Sequence, residues 1–318
     1  MKNEGGMALL VVMMFLLLMA ATAVSVNHSW YNMYTRTNVQ LSRTQAKWHL
    51  LGAEAYAIKL LEDSLRDATR VAPNQKWAQP ALSFSAEDAR IKINFHDAQA
   101  CFNLNTLSPP QTHVKAGDGH AQAENGEIAA ARQNISWQVF GALLANLGFN
   151  AEESKRLSDS IEQRLSPGMT AFSDISELRP LPGMTRERYM RVLPFMCVLP
   201  ERKTSININS LGDTQLALLR ALFLNKASAG AVRRLLDSRP REGWEGVQDA
   251  ALLKTSSMLH LELPPQSEQI MSTSSQYFRG VFSTMGEQGH YTLLGMYSHK
   301  DKKVHVIYHY MNGGGGEL

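Results

Sequence analysis

Twenty residues near the start of the chain, Met7 to Val26 (MALLVVMMFLLLMAATAVSV), carry no charge. At about 1.5 Å of rise per residue a helix of that length just spans a ~30 Å hydrocarbon core, so the run predicts a membrane segment. Beyond it the apolar positions retreat to one side. Leu41, Trp48, Leu51, Ala55, Ile58, Leu61 and Leu65 recur at spacings of three, four and seven, while Arg43, Lys47, Glu54, Lys59 and Asp63 fall on other faces. No proline precedes Pro73. The pattern therefore predicts one helix from the membrane to about Arg70, apolar all round in its first half and one-sided in its second.

The period then changes. Ala89 to His96 alternates apolar and polar, which predicts a strand with one buried face. It leads into FNLNTL at 102–107, and TSININSL at 204–211 repeats the core of that pattern, Asn-apolar-Asn-Ser/Thr-Leu. Alternation puts both asparagines of a pair on one face, where short amides serve strand-end turns and helix caps rather than catalysis. Ser108 to Gln133 is polar, starts with Pro109-Pro110 and has no hydrophobic period, so it reads as an exposed connection. Helical spacing returns from Ser136 to Leu144 and from Ala151 to Arg164, with shorter helices over Ser173–Leu178, Thr185–Leu193, Thr214–Phe223 and Ala229–Ser238. The last segment is strand-like: 277–283, 290–297 and 303–310, with a charged turn at His299-Lys300-Asp301-Lys302. Val304, Val306, Tyr308 and Tyr310 are expected on one face, with His305, Ile307 and His309 on the other. The fold class is α+β.

Composition narrows the chemistry. A length of 318 residues, 44% of them hydrophobic, allows a sizeable core beyond the anchor. A net charge of +3 is too mild to point to nucleic acid. The paired helices after ININS resemble helix-hairpin-helix modules that hold DNA phosphates, but the connection Leu224-Asn225-Lys226-Ala227-Ser228 lacks the glycine such a hairpin uses. Two cysteines, Cys101 and Cys197, exclude a four-cysteine zinc site. No G-x-S-x-G, H-E-x-x-H, P-loop or EF-hand pattern occurs, so no catalytic residue is named and no cofactor is required; the strand histidines read as solvated side chains.

The leader Met1-Lys2-Asn3-Glu4-Gly5-Gly6, set directly against the apolar run, resembles a type IV prepilin signal. The resemblance implies cleavage by a prepilin peptidase between Gly6 and Met7, leaving a methylated N-terminus; Ala20 to Ala23 is the weaker, signal-peptidase alternative. Most pilins of this class carry glutamate at the fifth mature position, where this chain has Val11. FNLNTL, then SELRPLPGMTRERYMRVLPFMCVLP, then TSININSL and the C-terminal hairpin are together similar to the minor pseudopilin K family of type II secretion, and the absent glutamate is a feature of that family. The resemblance covers nearly the whole chain.

It implies a cleaved leader at 1–6, a transmembrane part at 7–26, the pilin helix and first strands over 27–107, an inserted helical domain over 108–200, and the rest of a pilin-like head over 201–318. It also implies an inner-membrane, single-pass protein with its head in the periplasm, placed at the tip of a pseudopilus that helps export folded proteins. Its implied partners are the I- and J-type minor pseudopilins, with exoproteins or the outer-membrane secretin beyond them. Positive charge does not settle the orientation, since Arg36, Arg43 and Lys47 follow the membrane run. Calcium is implied by the family, with no residues here that match its ligands one by one. Cys101 and Cys197 flank the implied insertion, and in an oxidising periplasm they are expected to pair. A minor type IV pilin serving pilus initiation or DNA uptake is the alternative.

Overall fold

The computed structural model describes residues 5–79, 82–86, 89–109, 119–166, 168–286 and 289–313. Helix α1, Gly5–Leu65, is continuous over 61 residues, about 90 Å at the usual helical rise. A five-stranded antiparallel sheet packs on its second half. The strands are β1 (Leu82–Ala86), β2 (Ala89–Asp97), β7 (Tyr277–Gly286), β8 (Gly289–Lys300) and β9 (Lys303–Gly313), in that spatial order. Between β2 and β7 the chain leaves the sheet and builds a helical insertion. This holds the two-residue strands β3 (Phe102–Asn103), β4 (Met196–Cys197), β5 (Ile206–Asn207) and β6 (Met271–Ser272). Its helices are α2 (Gly119–Asn146), α3 (Ala151–Arg164), α4 (Arg186–Val192), α5 (Leu216–Leu222), α6 (Ala229–Asp237) and α7 (Ala250–Met258).

The face of α1 that packs on the sheet is not the expected one. Ala46, Leu50, Ala53, Ala57, Leu61 and Leu65 are buried, whereas Leu41 and Trp48 are 55% and 69% exposed. Only Leu61 and Leu65 belong to both sets. Small alanines let the helix approach the pleated surface closely, and the large side chains that dominate a hydrophobic pattern sit on the flank. Across from them lie Ile91, Ile93, Phe95, Phe278, Phe282, Tyr291, Leu293 and Tyr297. Gly280 and Gly295 are register partners on β7 and β8. A Cβ at Gly280 would meet the Phe282 ring at 2.7 Å, and one at Gly295 would collide with Tyr297, so glycine at both positions lets the rings lie across the sheet.

Glu54 is buried in this interface. Its carboxylate accepts from the Tyr297 hydroxyl at 2.7 Å and from Nδ1 of His309 at 2.9 Å. At the foot of the helix Glu62 accepts from the backbone N–H of Val304 at 3.0 Å. The β8–β9 turn uses Asp301 and Lys302 at φ 52° and 62°, the pair of left-handed residues that a tight type I′ hairpin requires. The expected alternation along β9 is broken. Register passes from Tyr297↔Val306 to Met296↔Tyr308, leaving Ile307 as a bulge, so Val304 and His309 both turn to α1.

The insertion is larger than 108–200. One core joins Phe102 to Met271 and contains side chains of α2, α3, α4, α5, α6 and α7, while α1 and the sheet form another. TSININSL marks the middle of the insertion and not the start of the remaining head implied at 201–318: among the described residues β5 pairs with β6 and not with the five-stranded sheet. The stretch from Gly119 to Gln133, expected as a connection, is the first half of α2. Alanine at 121, 123, 129, 130 and 131 supports a helix without a hydrophobic period. Residues 110–118 lie outside those described.

Removing the Glu54 carboxylate strands a buried tyrosine hydroxyl. Glu54→Ala is expected to lower the unfolding free energy by about 1–3 kcal/mol, and Glu54→Gln, which keeps an acceptor, by less. Denaturant titration of the detergent-solubilised protein checks this, and an unchanged Glu54→Ala midpoint would contradict it.

Candidate functional site

Two features carry the chemistry of this chain: the exposed length of α1 and the root of the insertion. Gly6 and Met7 fall in the first turns of α1. From Leu9 to Val26 the large apolar side chains are exposed, Val11 among them at 46%. Trp30, Tyr31 and Tyr34 follow one turn past the apolar run, exposed as well, with the Trp30 and Tyr34 rings stacked at 5.9 Å. Amphipathic rings at that position suit a membrane–water boundary.

At the root, Cys101 and Cys197 form a disulfide with Cα atoms 5.9 Å apart, closing a loop with a sequence separation of 96. In the chain-entropy treatment such a loop contributes up to about 4–5 kcal/mol. Beside it, Asp97 at the end of β2 collects four donors. Oδ2 accepts from Asn207 Nδ2 at 2.7 Å, Ser210 Oγ at 2.5 Å and Ser275 Oγ at 2.6 Å, and Oδ1 accepts from the Gln99 N–H at 2.8 Å. Gln99 is buried and extends the junction: Oε1 accepts from the N–H groups of Gln276 and Tyr277, and Nε2 donates to Ser205 O. The chain's exit from the sheet, the midpoint of the insertion and the return to the sheet are thus tied at one place. Burial pushes the Asp97 carboxyl above the usual range, and its four hydrogen bonds only partly oppose that.

The two Asn-x-Asn pairs have matching roles. Asn103 Oδ1 accepts from the Asn105 N–H, and Asn207 Oδ1 from the Asn209 N–H. The second asparagine of each pair clamps the backbone of a distant aromatic. Asn105 bonds both the N–H and the C=O of Phe172, at 2.9 and 3.0 Å, and Asn209 does the same to Trp244, at 2.8 and 2.9 Å. Each pair also sits at a two-residue parallel bridge, β3 with β4 and β5 with β6. The insertion is therefore two similar units, 102–197 and 206–272. They meet through α2 and α5 in a reciprocal contact: Asn146 donates to Ala217 O, and Asn225 donates to Ala142 O. Leu224 and Asn225 supply the left-handed turn without glycine, at φ 51° and 59°, and the turn packs on α2.

Among the described residues no three His, Cys, Asp or Glu side chains converge as metal donors. His309 is engaged by Glu54. The calcium implied by the family thus has no donor set of that kind on these residues.

Comparison with known proteins follows the same division. Two family models described as type II secretion system (T2SS), protein K match residues 100–201 and 206–270. The type II secretion system protein K of Klebsiella pneumoniae is 32% identical over 302 residues, covering 86% of this chain and 88% of that protein. That of Pectobacterium carotovorum subsp. carotovorum is 30% identical over 301 residues, covering 87% of each. The chain belongs to the type II secretion system protein K family. A crystal structure of the GspK-GspI-GspJ complex from the enterotoxigenic Escherichia coli type 2 secretion system contains a chain that superposes with a TM-score of 0.69 at 26% identity, covering 88% of this chain and 100% of that one. The protein K family is one of structural, non-enzymatic pseudopilins, and the two family stretches coincide with the two units of the insertion.

The pattern of polar residues pointed to the asparagine pairs but not to Asp97, Gln99 or Glu54. Each is a single polar residue in its stretch of sequence, and apart from the Asp97–Gln99 bond its side-chain partners stand 100 or more positions away.

Because the folded chain holds the Asp97 proton to higher pH than the unfolded chain, the Asp97 contribution to stability falls as pH rises from about 4 through the raised folded value. Asp97→Asn removes that titration. The unfolding free energy of the wild type minus that of Asp97→Asn is expected to decrease between pH 4 and pH 7. A difference that stays flat or grows with pH would show that the four hydrogen bonds outweigh burial.

Proposed function

We propose that this chain is the minor pseudopilin that starts the type II pseudopilus and stays at its tip, together with I- and J-type minor pseudopilins. Removal of the leader between Gly6 and Met7 by the prepilin peptidase leaves α1 as the inner-membrane anchor, with the head in the periplasm. An intact Met1 on the membrane-embedded protein would contradict that cut. The observation that carries the reading is the likeness to the chain of the GspK-GspI-GspJ complex over that chain's whole length. A disulfide suits an oxidising periplasm.

Val11 supports the tip position. In the pilin architecture each newly added subunit offers a glutamate at this position to the amino terminus of the subunit above it. A carboxylate in hydrocarbon is costly unless paired, and a subunit with no predecessor has nothing to pair it with. Val11 removes that carboxylate, so this chain is suited to enter first. The insertion, two helical units on one end of the sheet, obstructs a subunit stacked above. Exoproteins or the outer-membrane secretin are then the partners at the free end.

Deletion is expected to leave folded exoproteins in the periplasm, restored by the wild-type gene in trans. Fractionation and immunoblotting of an exoprotein check this. Normal secretion with loss of pili or of transformation would instead favour a minor type IV pilin.

A further inference from the structure

β9 is an edge of the sheet, eleven residues long, whereas the opposite edge β1 has five. Its outward backbone groups meet no strand among the described residues. Val306, Ile307, Tyr308 and Tyr310 are 44%, 39%, 50% and 56% exposed. A long apolar edge of this kind is a template for another strand, and proteins usually blunt it with lysine or proline. Val304 to Gly313 has neither, and beyond the bulge at Ile307 the segment Tyr308–Gly313 is uninterrupted.

The edge continues onto α1. Leu41, Trp48, Ala55 and Glu62 are seven apart and so lie on one row of the helix. Glu62 touches Val304 of β9, which puts the exposed Leu41 and Trp48 on the β9 flank. Charge then narrows the occupant. Lys300 and Lys303 oppose each other in register across the turn, and among the described residues neither they nor His305 have a carboxylate within ion-pair distance. Lys302 and His309 are already served by Asp67 and Glu54. A second copy pairing edge to edge through its own β9 would bring no acidic group, because β9 has no Asp or Glu.

We infer that the outer edge of β9 receives an extended segment of a partner pseudopilin as a sixth strand of the sheet. That segment is apolar or aromatic where it passes Val306 to Tyr310 and carries carboxylates where it passes Lys300 and Lys303. The backbone ladder supplies attraction and the lysine end fixes direction. The inference rests on the proposed function in taking the partner to be a pseudopilin.

Hydrogen exchange on the full chain, alone and in a detergent-purified complex with co-expressed I- and J-type pseudopilins, tests it. Amides of Tyr308 to Asn312 are expected to exchange at least tenfold more slowly in the complex. Tyr308→Lys with Tyr310→Lys, at exposed positions, should weaken the complex at least tenfold while the melting curve of the chain alone is unchanged. A complex that protects only α1 overturns the β9 inference and leaves the partner reading intact. Protection that appears in the chain alone and rises with its concentration replaces the partner strand by a second copy. Failure of any complex to form overturns both readings.

Discussion

The placement of the insertion on the sheet turns on one carboxyl group, Asp97, which has no cation beside it among the described residues. Asp97 is held by two hydroxyls, an amide and a backbone N–H that come from three separate passes of the chain. An uncompensated buried charge is costly, and the protein meets that cost by converging donors rather than by an ion pair. The consequence is geometric. The sheet can open to admit the 179 residues between β2 and β7 because the exit, the midpoint and the return of that excursion meet at one junction. With the disulfide alongside, the insertion is fixed to the end of the sheet rather than tethered to it.

Fixed placement matters for a subunit that works by position. The helix α1 divides its surface along its length and around its girth: a bare apolar half for the membrane, an alanine-lined face for the sheet, and a flank with Leu41 and Trp48 that its own head leaves uncovered. Val11 lies in the bare half, and the insertion stands at the other extreme of the molecule. The absence of an acidic group at one end and the presence of bulk at the other both bear on the same question, whether another subunit can be placed above this one.

Local pattern revealed the elements well where a segment is decided by its own residues. The apolar run as helix, β2, α3 and the C-terminal hairpin all stand where period and punctuation put them. It failed where the decision is made at a distance. The large residues Trp48 and Leu41 outweighed the alanines in the pattern, yet close approach to a sheet favours the alanines. TSININSL is strand-like and falls within the implied pilin-like head at 201–318, yet whether a two-residue strand pairs with the sheet or with Met271–Ser272 is not a local property. Alternation along β9 was disrupted by one bulge at Ile307. The disulfide was legible from two cysteines that bracket a helical stretch, although the stretch they close is the first unit, 102–197, and not the whole excursion; Asp97 and Glu54 were not, since a single acidic residue at a strand end or on a helix gives no sign of what will surround it.

Under the proposed function this chain caps a filament and does not build one. Immunogold labelling of native pseudopili, with an antibody against the insertion, tests it most directly. The account predicts label at one end of each filament only. Label distributed along the length, or filaments formed by this chain alone, would contradict it.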